Sequence, residues 1–142
     1  MADITITAAS VAVVTTSSPA VSRSYNAGEA VTAGQLVYLN TADSEWYKAQ
    51  ADGTALEAGS AGLGVALHTS ANGQPLAVQT AGQITIGGTV VAGTEYVASD
   101  TAGGICPHAD LTATGRRYSR VGYATTTGII KLDLLASGVQ LA

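Results

Sequence analysis

The sequence predicts an all-β domain. The expected form is a compact antiparallel barrel or sandwich of two similar β-halves, with an extended N-terminal arm. Three observations carry this. Short segments alternate polar and apolar residues with period two, which sends one set of side chains to a buried face and the other to solvent. Gly, Asn and Asp interrupt these segments, as in Ala51-Asp52-Gly53 and Ala71-Asn72-Gly73, where tight turns need positive φ. No window carries a sustained apolar stripe of helical period.

Taken in order, Ile4-Thr5-Ile6-Thr7 and Val11-Ala12-Val13-Val14 are strand-like, and Thr15-Thr16-Ser17-Ser18-Pro19 is a flexible polar break. Residues 1–25 therefore read as an arm, serving either as a local edge strand or as a strand added to a partner. A single β domain follows over residues 26–142. Its strands are expected at 35–39, 46–49, 63–67, 75–79, 83–86, 95–98, 118–124 and 131–134. Residues 52–60 and 108–114 hold one helical turn each at most.

An internal echo divides this domain into halves at about 27–82 and 83–138. Ala30-Val31-Thr32-Ala33-Gly34-Gln35-Leu36-Val37-Tyr38-Leu39 aligns with Thr89-Val90-Val91-Ala92-Gly93-Thr94-Glu95-Tyr96-Val97-Ala98. Gly64-Val65-Ala66-Leu67 aligns with Gly122-Tyr123-Ala124-Thr125, and Leu76–Gly82 aligns with Leu132–Gly138. The offsets are 59, 58 and 56 residues, in the same order throughout. Each unit opens with an Ala-Gly step, read as a type II turn with Gly34 or Gly93 at the position needing φ > 0. Gly64 and Gly122 mark a later strand where a neighbour packs against a missing side chain.

Composition narrows the function. The 142 residues include 46% hydrophobic types, no Phe, 17 Gly and only 11% charged residues. The net charge is −4 with six Lys and Arg, too few for a face that neutralises phosphates, so nucleic acid is not an expected partner. No apolar run reaches the roughly 18 residues that span a bilayer, and the first residues do not read as a secretory leader. A single cysteine, Cys106, builds no internal disulfide framework.

Catalytic chemistry is sparse. Cys106-Pro107-His108 places a thiol near an imidazole, with His68 or Asp110 as further donors, but zinc sites need paired spacings that are absent. The carboxylates Asp43, Glu45, Glu57, Glu95 and Asp133 are scattered rather than paired for acid–base work. Neither a phosphate-binding glycine loop nor a Gly-x-Ser-x-Gly elbow occurs. No catalytic residue, cofactor or metal is expected. Arg116, Arg117 and Arg120 form the one basic cluster, suited either to a solvated loop or to an acidic protein surface. Trp46-Tyr47 is the densest aromatic pair, read as packing before a ligand platform.

The repeated blocks, together with Gly73-Gln74-Pro75-Leu76-Ala77-Val78-Gln79-Thr80-Ala81-Gly82, Ile86-Gly87-Gly88-Thr89-Val90-Val91-Ala92-Gly93-Thr94 and Val121-Gly122-Tyr123-Ala124-Thr125-Thr126, resemble the small capsid decoration (cement) proteins of tailed bacteriophages. The resemblance runs from about Ala27 to Gly138. It implies a non-enzymatic virion protein, made in the host cytoplasm, on the outer surface of the expanded head. There it would act as a homotrimer that clamps adjacent major capsid protein subunits. It implies contact with the capsid or a neighbouring copy through the arm residues Ile4, Ile6, Val11 and Val13. Arg116 and Arg117 are further contact candidates. A trimeric tail-fibre or adhesin module binding a host receptor is the alternative.

Overall fold

The computed structural model describes residues 3–87 and 90–141. Gly88 and Thr89, which belong to the repeat and to the blocks of the resemblance, lie outside the described residues. Among the described residues ten strands form: β1 (Ala12–Val13), β2 (Ala20–Ser22), β3 (Leu36–Asn40), β4 (Glu45–Lys48), β5 (Leu63–Ala66), β6 (Val78–Thr85), β7 (Glu95–Ala98), β8 (Ile105–Pro107), β9 (Arg117–Thr126) and β10 (Ile129–Gln140). Among the described residues the only helical pieces are 3-10 turns at Ala8–Ser10, Thr15–Ser17 and His108–Asp110.

All ten strands join one antiparallel sheet in the order β4-β3-β5-β6-β10-β9-β7-β8, with β1 and β2 added along β6. The sheet curls into a half-barrel. Its outer ends approach through backbone bonds: Gly103 N–H donates to Ala49 O (2.7 Å), Ala51 N–H to Ser99 O (2.8 Å) and Leu36 N–H to Gly103 O (3.0 Å).

The two halves share their ladders. Val37↔Lys48 and Tyr38↔Tyr47 in β3–β4 recur as Tyr96↔Pro107 and Val97↔Cys106 in β7–β8. Leu36↔Val65 and Val37↔Gly64 in β3–β5 recur as Glu95↔Tyr123 and Tyr96↔Gly122 in β7–β9. The opening turns match as well. Gln35 N–H donates to Thr32 O and Thr94 N–H to Val91 O, both at 3.2 Å. Gly34 and Gly93 sit at φ +89° and +84°, the backbone state the type II turn demands.

Sequence periodicity placed separate strands at 75–79 and 83–86. The structure merges the end of the first and most of the second into β6, because Gly82 (φ +87°) bends the chain without breaking it. Upstream of the bend β6 pairs with β5, and downstream with β10. It thus closes the first half and opens the second, and the 82/83 division falls inside it.

Residues 3–22 do not extend away from the domain as an arm. Ile4 N–H donates to Ile105 O (2.8 Å) and Thr7 N–H to Ile86 O (3.2 Å). β1 and β2 then run antiparallel to β6, Val13 opposite Ile84 and Val21 opposite Gln79. The physical reason is the edge of β6, whose backbone groups need partners that this segment supplies.

Two apolar clusters hold the fold. The larger includes Leu36, Val65, Ile84, Ile86, Tyr96, Ile105, Cys106, Val121 and Ile130. The smaller packs Ala27, Val31, Val37, Trp46, Ala66, Leu76 and Val78 on the first half. Each buried Val, Leu or Ile contributes roughly 1.5–3 kcal/mol relative to exposure.

Candidate functional site

The aliphatic contact candidates face home. Ile4 is buried at 8% exposure. Ile6 and Val11 are half-buried against the larger cluster, crowding the space above Gly34. Val13 is half-buried in its ladder with β6. These four residues are committed to this chain's own interior, so as placed they offer little to a neighbour. The arginine candidates are engaged too. Arg116 Nε lies 2.5 Å from Asp100 Oδ1. Arg117 donates from its backbone N–H to Ala51 O (2.8 Å) and from Nε to Gly53 O (3.3 Å).

The four glycines are placed by close approach or by turn geometry. A Cβ on Gly64 would lie 2.1 Å from Val78 Cγ1, and one on Gly122 only 2.0 Å from Lys131 O. A Cβ on Gly34 would lie 2.3 Å from Ile6 Cγ2, whereas Gly93 has open space above it.

Cys106 is fully buried, and burial pushes its thiol up to about 12, with Asp3, Asp110 and Asp100 adding to the effect. A thiol so held is protonated at neutral pH and is a poor nucleophile or ligand. His68 is a structural acceptor: its Nε2 takes the Ala77 N–H at 3.0 Å, which leaves Nδ1–H to donate to Thr69 O at 3.2 Å. Among the described residues no three His, Cys, Asp or Glu side chains gather as a metal site. Trp46 is 3% exposed and its Nε1 has no partner, so it is core and no platform. Tyr47 donates its hydroxyl to Asp43 Oδ2 at 2.5 Å, and that bond is the main reason its pKa rises to about 12.

A polar cluster on the second half went unread in the sequence. Tyr118 donates its hydroxyl to Glu95 Oε1, His108 Nδ1 lies 3.9 Å from the same oxygen, and the Tyr118 and His108 rings meet edge to face at 5.1 Å. Burial, followed by the Glu95 bond, lifts Tyr118 to about 12. Beside it Arg120 reaches Asp133 Oδ2 at 2.9 Å and sits 5.7 Å over the Tyr123 ring. The two-residue step from Tyr118 to Arg120 was the available signal. The bulge between Tyr96 and Val97, where Gly122 falls, hides that Tyr123 shares their surface. These groups can hydrogen-bond and pair charges with a protein surface. They hold no activated nucleophile.

The exposed large apolar residues are Tyr25, Val91, Tyr123, Leu135 and Val139. Leu135 (46%) and Val139 (61%) lie on β10 beyond its ladder with β6, which ends at Leu132↔Gly82. From there β10 pairs only with β9 among the described residues. No helix among the described residues is long and apolar enough to cross a membrane. No family model matches the sequence, and no curated protein matches it.

Proposed function

We propose that this chain is a non-enzymatic decoration protein that binds the outer surface of a tailed-phage head and stabilises the expanded capsid by clamping adjacent major capsid subunits. The observation that carries the reading is the ordered set of resembling blocks. These blocks coincide with the repeated unit of the fold: the turns at Gly34 and Gly93, the close-packed strands at Gly64 and Gly122, and β6. A duplicated, curled sheet held by backbone ladders suits a part that occurs in many copies, where modest contacts add through multivalency. In this reading the chain acts as a homotrimer, with the Glu95–Tyr118–Arg120–Tyr123 face or the β10 edge available for contact. The residues up to β1 serve chiefly to close the fold. A glycan-binding version of the receptor-binding alternative would want a cluster of exposed aromatics, and of the pair Trp46-Tyr47 the indole is buried.

The test is co-sedimentation of purified protein with expanded, undecorated heads. Saturation at a fixed number of copies per coat subunit, with greater resistance of the heads to heat, is the expected result. No binding to competent heads would sink the reading and make a glycan screen the next step.

A further inference from the structure

The repeat itself shows what is missing from one half. In the first half, the stretch Val78–Ala81 of β6 has a strand on each edge, β5 on one side and β2 on the other. The 56-residue offset of the repeat makes Leu134–Ser137 of β10 its counterpart. That stretch has β9 on one edge and no strand on the other among the described residues. The chain supplies no second β2 because the segment preceding the second half is β6, whose upstream end is held by β5.

Space confirms the asymmetry. Gly82 and Gly138 are counterparts, at φ +87° and +73°. A Cβ on Gly82 would lie 2.7 Å from the backbone of Pro19, at the entry to β2, while one on Gly138 would meet nothing within 4 Å. An open groove of about 340 Å³ runs beside the β10 edge, lined by Leu134, Leu135 and Ala136 on one side and by Thr80 and residues 59–63 on the other. The edge carries no Lys or Pro to guard it, and Leu135 is exposed.

We infer that the β10 edge at Leu134–Ser137 is a docking site for the Pro19–Arg23 segment of a second copy of this chain. The occupant follows from register. β2 sits on β6 with Ala20, Val21 and Ser22 opposite Ala81, Gln79 and Val78. Carried to β10, the same register places Val21 against exposed Leu135 and brings exposed Arg23 beside Asp133, whose side chain is 57% exposed. On β6 the segment helps to cover Gln79, which is fully buried with its Oε1 unpartnered, a costly arrangement. Ser18 enters β2 with φ +56°, a strained turn for a residue with a side chain. Transfer of β2 to a neighbour lets water reach Gln79 and relaxes that turn. Donor and acceptor lie at different places on the chain, so the contact is head-to-tail, and it closes as a ring or runs on as a filament according to the rotation between copies.

The experiment uses the purified full chain. Sedimentation equilibrium should show reversible association. A mixture of Val21→Cys and Leu135→Cys chains should form a cross-chain disulfide under mild oxidation, while Leu135→Cys alone should not; buried Cys106 does not interfere. In the double variant Val21→Cys/Gln79→Cys, oxidation locks β2 onto its own β6 and should abolish association, with reduction restoring it. A monomer at every concentration overturns the proposal. So does a Leu135→Cys self-disulfide, or an oligomer that survives the lock. Because no capsid enters the experiment, its failure is separable from failure of the decoration role.

Discussion

The two halves use the same ladders for different ends. Leu36↔Val65 in the first half is a fully buried pair in the larger core, and its counterpart Glu95↔Tyr123 lies toward solvent in the second. In the first half the small cluster around Trp46 and Leu76 is roofed by residues that include Ala27 and Val31. The second half instead exposes charged and aromatic side chains around Tyr118 and Arg120. Register is a property of the backbone and of glycine positions, so duplication preserves it. Which face is buried depends on what lies above it: Ala27 and Val31 pack over the Trp46 face, whereas the N-terminal segment reaches both halves, Ile4 bonding to Ile105 and β2 lying along the upstream part of β6. Repeats diverge most readily at such faces, since a surface substitution away from special features costs within about 0.5 kcal/mol.

The largest effects should separate the two close-packed glycines. Gly122→Ala drives a Cβ into the Lys131 carbonyl, part of the backbone ladder, and should cost ~4 kcal/mol. Gly64→Ala meets first the Val78 side chain, which can partly adjust, and should cost ~3 kcal/mol. Urea unfolding measures both, and a more damaging Gly64→Ala would reverse the assigned roles.

The turn glycines sharpen the same contrast. Gly34→Ala combines positive-φ strain with a clash against Ile6 and should cost ~2 kcal/mol. Gly93→Ala bears the strain alone, ~1 kcal/mol. Equal losses at the two sites would mean that Ile6 does not lie over Gly34 in solution.

Alkaline pH probes Tyr47 in one half against Tyr118 and Cys106 in the other. All three are held up to about 12, from ordinary values of 10.0 for Tyr and 9.0 for Cys. The folded chain then keeps protons that the unfolded chain releases. Their contribution is complete below about pH 9 and is lost as pH rises toward 12. Unfolding free energy should therefore fall across that window, and a flat profile from pH 8 to 11 would contradict the assigned environments. Cys106 should also resist thiol reagents in the native state at pH 8 and react once urea unfolds the chain.

The smallest effect is expected at Trp46. Trp46→Phe removes an indole N–H that has no partner, at the expense of some packing, so the change should stay within ~1 kcal/mol. A larger loss would reveal a partner for Nε1.

Much of this fold was legible in the residues. The run of β-formers at 35–39, the alternation at 131–134, the Asn-Gly and Asp-Gly turns and the Ala-Gly repeat are local signals, because strand propensity, strand period and positive φ act on neighbouring residues. They determined an all-β chain built from two related units. The fate of Ile4, Ile6, Val11 and Val13 was not legible. An apolar strand reads the same whether its partner edge belongs to its own chain or to another, and only the tertiary structure decided that the partners were β8 for Ile4 and β6 for Val13. Nor did local pattern show that Gly82 bends a strand rather than ending it, since glycine permits both. The bridging of Glu95 by Tyr118 and His108, and the open flank of Leu134–Ser137, depend on which strands become neighbours. That is set by long-range pairing, in which residues far apart in sequence share one ladder.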